Sequence, residues 1–347
     1  MRDSVRAAIG VLAVAGAGAL GAGEVAAQEV TLRLHHFLGP GAPAQKDFFE
    51  PWAARVEEQS GGRIAVEIYP SMTLGGSPPQ LISQLRDGVV DIVWTVTSYT
   101  PGQFPRTEAF ELPFVHQGDA VATNLAIQDL YDEWLAVEYE DVHPILIHVH
   151  AGNALHTIDH PVHKPEDLAG LKIRTPSRTG SFVLEALGAN PVGMPVPQLP
   201  QSLSRRVVDG TTIPFEVSLP LKVHELVGYH MEFEDGTRLG TAVFLFGMNQ
   251  ATYDGLPDDL KAVIDANSGA NIAAAIGQVW MDVEQPGLQA AIDNGNEIIR
   301  WPVDDKPLWQ DAVQPAIERW VAEVEEAGID GQALIEAASA AVAANGR

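Results

Sequence analysis

The chain of 347 residues, 46% of them apolar, is long enough for two compact domains with separate cores, which excludes a disordered protein. Its 46 acidic and 21 basic residues give a formal net charge of −25, which repels nucleic-acid phosphates and excludes nucleic acid as a partner. The lack of cysteine excludes disulfides and thiolate chemistry.

The amino terminus has the pattern of a secretory signal peptide. Arg2 and Arg6 precede an uncharged stretch over residues 7–23, and residues 25–27 (Val-Ala-Ala) are suited to a cleavage site. No later apolar stretch reaches the 18 residues that indicate a membrane span. We therefore predict a signal peptide over residues 1–27 and an exported mature protein.

Alternating and apolar runs predict strands and helices in turn through the first part of the mature chain. The strands end near Phe37, Tyr69 and Val96, and the helices cover about 44–59 and 79–87. This alternation favours a parallel sheet in an α/β domain. Such sheets bind ligands beyond the carboxyl ends of their strands, and these positions carry His36, Phe37, Ser98 and Tyr99, with Trp94 just inside the third strand.

The same kind of pattern returns in the second half and predicts a second α/β lobe. Its predicted strands are 144–150, 171–174, 190–194 and 207–215, with a helix over 179–187. A late apolar strand over 241–248 precedes a helical tract over 256–294, long enough to bridge two lobes, in which Pro286 should produce a kink or break. Two closing helices are predicted over 307–327 and 332–344.

Arg174 ends the predicted strand in the run LAGLKIRTPS, at residues 168–177. The planar guanidinium matches a carboxylate through two parallel hydrogen bonds, and the end of a strand that faces a cleft is a suitable place to hold one. The alternative is a surface ion pair with Glu166 or Asp167.

Several motifs in family order resemble the extracytoplasmic solute-binding proteins of tripartite ATP-independent periplasmic (TRAP) transporters, the DctP-type family. They include VEEQSGGRIAVEIYP, ELPF at 111–114, VHKPEDLAGLKIRTPS and VVDGTTIPFEVSLPLKVHEL. The resemblance implies a periplasmic protein with the two-lobed periplasmic-binding-protein fold, with crossing strands and a long helix spanning both lobes. It also implies an organic acid as ligand, TRAP membrane subunits as partners, no cofactor and no catalysis.

The resemblance assigns Arg174 to the ligand carboxylate and suggests lobe boundaries. Lobe I would comprise residues 28–150 with about 240–280, and lobe II residues 151–239 with about 281–347. Two departures from the family pattern make the pocket less polar: residues 152–157 contain no arginine, and Ile213 stands where a polar side chain is common. Because unmatched ligand hydroxyls are costly, we expect a weakly polar or aromatic monocarboxylate rather than a sugar acid.

Aromatic side chains near the predicted strand ends fit such a ligand. Phe37, Trp94, Tyr99 and Phe215 could enclose an apolar ring, although each could equally be part of a core. Glu216 would accept a ligand hydroxyl or pair with Arg174 or Arg178, and Arg178 is a secondary candidate for binding the acid.

Two other classes of function remain as alternatives at this point. A periplasmic metal-binding protein would use histidines such as His148 and His150, which share one face of a strand, but no carboxylate completes a ligand set by spacing. A secreted hydrolase is the other alternative, although neither G-x-S-x-G nor H-E-x-x-H occurs.

Overall fold

The computed structural model describes residues 28–346, which form two α/β lobes with one sheet each. The predicted signal peptide, residues 1–27, lies outside the described residues. The strands are β1 (Val30–His36), β2 (Ile64–Tyr69), β3 (Ile92–Val96), β4 (Val142–Val149), β5 (Ala154–Thr157), β6 (Lys172–Thr175), β7 (Asn190–Gly193), β8 (Gly210–Ile213), β9 (Tyr229–Phe233), β10 (Val243–Asn249) and β11 (Glu297–Trp301).

Helices cover both lobes, and a π-helical turn over Ala44–Phe49 leads directly into the first of them. The helices are α1 (Glu50–Gln59), α2 (Leu81–Arg86), α3 (Ala120–Asp129), α4 (Arg178–Ala186), α5 (Leu199–Ser204), α6 (Phe215–Ser218), α7 (Gln250–Asp254), α8 (Asp258–Ala266), α9 (Ala270–Asp282), α10 (Glu284–Asp293), α11 (Lys306–Glu326) and α12 (Gly331–Asn345). Over residues 28–346, none of these helices combines the length and apolar character that crossing a membrane requires.

The sheet of the first lobe has the strand order β2-β1-β3-β10-β4. β1 is parallel to both β2 and β3, with His36 opposite Trp94, as the alternation of strands and helices predicts. β10 is antiparallel to β3 and to β4, so the complete sheet is mixed. The seven residues of β10 are all buried, and the first six of them (Val-Phe-Leu-Phe-Gly-Met) form a continuous apolar run.

The sheet of the second lobe has the order β11-β9-β5-β8-β6-β7. β6 is parallel to β7 and to β8, and Arg174 is paired with Val192 on one side and Thr211 on the other. β5 is antiparallel to β8 and β9. The parallel strands β6 and β8 therefore end at the same edge of this sheet.

The chain crosses between the lobes after β4, between β9 and β10, and along the helical tract. That tract is not one helix from 256 to 294, as predicted. It is divided into α8, α9 and α10, because Gly269 has φ +53° and Val283 lies between α9 and α10. α9 packs on α3 in the first lobe and α10 on α6 in the second, so the tract spans both lobes. Pro286 is the third residue of α10, a position in the first turn where its missing N–H is tolerated.

Candidate functional site

Arg174 lies near the end of β6 and is buried, with 1% of its surface exposed. Its Nε and Nη2 donate to the carbonyl oxygen of Met194 at 2.9 and 2.7 Å, and Nη1 donates to that of Thr212 at 3.4 Å. Within residues 28–346, no carboxylate forms an ion pair with this guanidinium. Because a buried charge without a partner is costly, the arrangement favours an anionic ligand.

The alternative prediction for Arg174, a surface ion pair with Glu166 or Asp167, is wrong. Asp167 accepts instead from the backbone N–H groups of His163 at 2.9 Å and Lys164 at 3.2 Å, at the start of a short helical turn. Arg174 is instead buried at the end of its strand and forms no ion pair with Glu166 or Asp167.

Arg174 faces a cavity between the lobes that contains about 360 Å³ of empty space. The first lobe contributes a mainly aromatic wall, and the second contributes the guanidinium, prolines and aliphatic side chains. The lining includes Phe37, Trp94, Tyr99 and Phe244 from the first lobe, and Arg174 and Glu216 from the second.

The aromatic wall follows from the strand order of the first sheet. Phe37 directly follows β1, and Trp94 lies opposite His36 in the adjacent parallel strand. Phe244 is near the start of β10, and since β10 is antiparallel to β3, its first residues lie at the edge where β1 and β3 end. Four strands thus bring side chains to one edge, because β4 also ends there and is followed by His150.

The aromatic rings of this wall pack closely against one another. Trp94 stacks on Phe244 with 4.5 Å between ring centroids and 7° between planes. Phe37 stacks on Trp94 at 5.0 Å and meets Tyr99 edge-on at 5.5 Å. Phe37, Trp94, Phe244 and Tyr99 are each at most 7% exposed. The wall is therefore rigid and apolar, and its ring faces suit another planar ring.

Tyr99 connects the aromatic wall to the cation and to the opposite lobe. Its hydroxyl oxygen accepts from the backbone N–H of Val196, in the second lobe, at 3.0 Å. Burial raises the pKa of Tyr99, while the positive charge of Arg174 lowers it. Burial in turn lowers the pKa of Arg174, and Tyr99 counteracts that shift. The guanidinium remains a cation at neutral pH because its ordinary pKa is far above 7.

Two further polar side chains of the cavity lining, Glu216 and His150, are also buried. Glu216 does not pair with Arg174 or Arg178, contrary to one of the sequence-based alternatives, and its Oε2 has no hydrogen-bond partner in the described chain. Burial, and next the charge of Glu284, raise the pKa of Glu216 well above its ordinary value.

His150 has a defined tautomer in its neutral form. The backbone N–H of Gly152 donates to its Nδ1 at 3.0 Å, so Nδ1 is an acceptor and the ring proton is on Nε2. Burial lowers the pKa of His150 far below its ordinary value, which keeps the ring neutral. The imidazole therefore supplies a neutral N–H donor at the first-lobe side of the cavity.

A second and larger cavity, with about 610 Å³ of empty space, extends into the second lobe around Thr175, Thr212 and Arg238. The cation there is already neutralised, since Arg238 pairs with Glu232 at 2.6 Å and with Glu284 at 3.4 Å. The unpaired charge of Arg174 makes the smaller cavity the candidate binding site.

The histidines do not support the metal-binding alternative. Among residues 28–346, no three His, Asp or Glu side chains are grouped so that they could hold a metal ion. His148 lies in the aromatic stack, where the Nε1–H of Trp94 donates to its Nε2 at 2.9 Å. His156 and His230 approach each other at 2.6 Å between their Nδ1 atoms, and both are buried.

The family profile of bacterial extracellular solute-binding protein, family 7 (DctP), matches residues 34–323. The chain belongs to this family. The resemblance predicted from its motifs and the predicted two-lobed α/β fold are both confirmed.

Two solved structures of such solute-binding proteins are each 40% identical to this chain. One is a marine metagenome TRAP solute binding protein specific for aromatic acid ligands, from an unidentified microbe, in complex with metahydroxyphenylacetate. It has a TM-score of 0.89 and covers 92% of this chain and 100% of that one. The other is a TRAP solute binding protein from Rhodoferax ferrireducens T118 in complex with copurified benzoate, with a TM-score of 0.88 and coverage of 91% and 98%.

A curated relative is the C4-dicarboxylate-binding periplasmic protein DctP of Rhodobacter capsulatus. It is 27% identical to this solute-binding protein over 322 residues, which covers 90% of this chain and 92% of that protein. The similarity therefore extends over both lobes.

Five of the site residues predicted from the sequence meet around the cavity of this solute-binding protein. They are Phe37, Trp94, Tyr99, Arg174 and Glu216. The other predicted site residues, His36, Ser98, Arg178 and Phe215, lie outside its lining.

His36 is packed inside the first lobe, and Phe215 is packed inside the second. Successive side chains of a strand point to opposite faces, so His36 points away from Phe37, and its Nε2 lies 3.2 Å from the side-chain oxygen of Gln45. Phe215 packs against His156 at 5.1 Å and His230 at 5.5 Å between ring centroids. Phe215 therefore supports the start of α6 from behind the cavity.

Ser98 and Arg178 lie in the contact between the lobes, next to the cavity. The Ser98 hydroxyl donates to Glu111. Arg178 begins α4, and its guanidinium pairs with Glu108 of the first lobe at 2.6 Å and also with Glu323 of α11. The Arg178–Glu108 pair joins the two lobes, whereas the Ser98–Glu111 hydrogen bond lies within the first lobe. Because two carboxylates already engage its guanidinium, Arg178 has no free pair of donors for a ligand.

Glu111 is a second link between the lobes. Besides Ser98, its carboxylate accepts from Thr179 of α4 at 2.8 Å and from the backbone N–H of Val243 at 3.2 Å. Burial raises the pKa of Glu111 to about 7, and these hydrogen bonds only partly oppose the shift.

Sequence reasoning missed several lining residues, of which Phe244 and His150 matter most. Phe244 lies in the predicted apolar strand, but the strand's place beside β3 was not evident from local patterns. His150 was noted only as a possible metal ligand. Asn153, at the crossing between the lobes, lines both cavities.

Proposed function

We propose that this solute-binding protein captures an aromatic monocarboxylate in the periplasm and delivers it to the membrane subunits of a TRAP transporter. The single observation that carries the proposal is the buried, unpaired guanidinium of Arg174 opposite an aromatic wall. In this role the protein binds and releases its ligand without changing it chemically.

The carboxylate of the ligand supplies the missing negative charge. Its two oxygens accept hydrogen bonds from the guanidinium of Arg174. The carbonyl oxygen of Met194 continues to accept from the same guanidinium and so fixes its orientation. Within the described lining of this cavity Arg174 is the one arginine, which favours a single carboxylate. A second ionised carboxylate would be left without a cation and would be costly to bury.

The body of the ligand is proposed to be an aromatic ring. Phe37, Trp94 and Phe244 present ring faces and edges, and Pro176 and Ile213 add apolar surface from the other lobe. These groups cannot match the hydroxyls of a sugar acid. The aromatic acids bound by the two 40% identical proteins support the same class of ligand.

Ligand capture in this proposal includes closure of the lobes. The Tyr99–Val196 hydrogen bond and the Arg178–Glu108 ion pair both join the lobes and would be absent in an open form. The crossing segments provide the hinge, and the break at Val283 lies where α9 of one lobe meets α10 of the other. Closure is favoured only by contacts that the closed form adds.

A thermal-shift screen of ligand-stripped protein tests the proposal. The compounds are benzoate, phenylacetate, an aliphatic acid of similar size, a dicarboxylic acid, and the amides matched to the two aromatic acids. A ligand at 100 times its dissociation constant adds about 2.7 kcal/mol to the free energy of unfolding, which gives a clear shift. We expect shifts with the aromatic acids and none with their amides. Equal shifts with acids and amides, or no shift with any acid, would contradict the proposal.

A further inference from the structure

Glu216 is a buried carboxyl group in the cavity with no task in the binding scheme described above. It belongs to the first turn of α6, directly after β8, and is 4% exposed. No hydrogen bond of its side chain is formed within residues 28–346, and its Oε2 is buried without a partner. Since buried polar atoms are normally hydrogen-bonded, an unpartnered carboxyl in a binding cavity points to a ligand group.

The backbone of Glu216 is fixed by a hydrogen bond, whereas its side chain has no hydrogen-bond partner in the described chain. Glu284 of α10 accepts from the Glu216 backbone N–H at 2.9 Å, and the same carboxylate pairs with Arg238 at 3.4 Å. Gly287 allows α10 to approach closely, because a Cβ at that position would lie 2.0 Å from the carbonyl oxygen of Phe215. The carboxyl is therefore presented from a fixed turn.

The environment of Glu216 favours its neutral form. Glu284 adds negative charge beside it, and the cation of Arg174 is not paired with it. Burial raises its pKa well above the ordinary value of 4.5. A neutral carboxyl does not repel an incoming carboxylate, and it both donates and accepts a hydrogen bond.

We propose that the carboxyl group of Glu216 hydrogen-bonds to a hydroxyl substituent on the ring of the bound acid. This rests on the proposed function, in which Arg174 holds the carboxylate. A phenolic hydroxyl can also both donate and accept a hydrogen bond. It can therefore donate to the carbonyl oxygen of the Glu216 carboxyl or accept from its O–H group. The neutral Nε2–H of His150 is a second donor in the same cavity for the oxygen of that hydroxyl.

The consequence is a preference for hydroxylated over unsubstituted aromatic acids. Benzoate leaves the carboxyl of Glu216 unpaired in the closed cavity, whereas a hydroxybenzoate with its hydroxyl in the right ring position satisfies it. A site built to hydrogen-bond a group discriminates against the analogue that lacks it. We expect one hydroxybenzoate isomer to bind roughly tenfold more tightly than benzoate, and the other isomers to gain less.

Calorimetric titration of benzoate and of 2-, 3- and 4-hydroxybenzoate tests this in the full-length mature protein. The wild type is compared with Glu216→Leu, which removes the polar group, and Glu216→Gln, which keeps a donor and an acceptor. Glu234→Gln, an exposed glutamate of the second lobe, is the matched control. Leucine should abolish the isomer preference while benzoate binds at least as well as in the wild type, and glutamine should keep most of the preference.

Each result has a distinct meaning. Equal affinity of the wild type for benzoate and all three isomers overturns the role of Glu216 but leaves the proposed function standing. A preference that persists in Glu216→Leu also overturns it. Failure of benzoate and of every isomer to bind the wild type contradicts the proposed function itself. The melting curve shows whether the leucine variant folds. If it does not, the isomer preference of the wild type and of Glu216→Gln still tests whether Glu216 binds the hydroxyl group.

Discussion

Replacing Arg174 with methionine removes the positive charge and the N–H donors of the guanidinium, but it keeps an unbranched side chain of similar length. Because the guanidinium is 1% exposed and has no carboxylate partner in the described chain, the bound acid would lose its desolvated counter-ion. Breaking such a buried pair costs about 3–5 kcal/mol. We therefore expect the dissociation constant for benzoate to rise between roughly 100-fold and several thousand-fold.

The same substitution should affect the ligand-free protein much less. It removes the hydrogen bonds to Met194 and Thr212, and an unpaired buried carbonyl costs about 1–3 kcal/mol. It also removes a buried, unpaired cation, which is itself destabilising. Since these effects oppose each other, the free energy of unfolding should stay within about 2 kcal/mol of the wild-type value.

Isothermal titration with benzoate and urea unfolding without ligand measure the two quantities separately. Arg174→Lys keeps the charge without the planar fork and should bind with intermediate affinity. Arg206→Met is the control, because Arg206 is exposed and pairs with Asp159 at the surface. Affinity of Arg174→Met within a few-fold of the wild type, in a protein with a normal melting curve, would refute the role given to Arg174.

Three other changes probe the aromatic wall, the link between the lobes and the support of α6. Phe37→Leu keeps an apolar side chain but loses ring contacts, worth about 0.5–1.5 kcal/mol, so calorimetry should show weakened binding of benzoate and unchanged binding of cyclohexanecarboxylate. Equal weakening of both acids would argue against ring recognition. Glu111 has a folded-state pKa of about 7, above its ordinary 4.5, so its contribution to stability decreases as pH rises through that interval. Glu111→Gln lacks this titration, and between pH 5 and 8 the wild type should lose about 2.5 kcal/mol relative to the variant in urea unfolding. A constant difference across that range would contradict the raised pKa. Gly287→Ala places a Cβ 2.0 Å from the Phe215 carbonyl and should destabilise the fold by about 1–3 kcal/mol, whereas Gly193→Ala, with no atom within 4 Å of its Cβ, should be neutral. Equal unfolding midpoints for the two alanine variants would show that α10 can shift without cost.

The sequence could predict the parts of the site that depend on local pattern. Arg174 follows the short predicted strand Leu171-Lys172-Ile173, which Pro176 ends two residues later. The carboxyl ends of parallel strands form the ligand edge of a sheet. Phe37 and Tyr99 follow from the same rule applied to β1 and β3. These positions needed only the order of strands and helices along the chain.

Other parts depend on pairings between distant segments, which local patterns do not specify. Phe244 reaches the cavity because β10 inserts between β3 and β4, more than 90 residues after β4 in sequence. Arg178 is only four residues beyond Arg174, but it starts α4 and turns towards Glu108, a partner 70 residues away. Its role in joining the lobes could not be separated from ligand binding without knowing the position of that carboxylate.

The positions at which the helical tract is divided could not be predicted from the sequence pattern. Residues 256–294 have good helix formers and apolar periodicity, and Pro286 was the evident signal for a break. The structure places one break at Gly269, whose positive φ ends the preceding turn, and another at Val283, before the proline. Proline is compatible with the first turn of the next helix, so its effect is to start α10 rather than to bend a continuous helix.

A crystal structure of the protein with bound benzoate tests the central claim most directly. We expect both carboxylate oxygens to lie about 2.7–2.9 Å from nitrogens of the Arg174 guanidinium, with the ring against Phe37 and Phe244. Benzoate bound outside this cavity, or bound within it with its carboxylate turned away from Arg174, would contradict the claim that this buried cation is the anchor for the ligand.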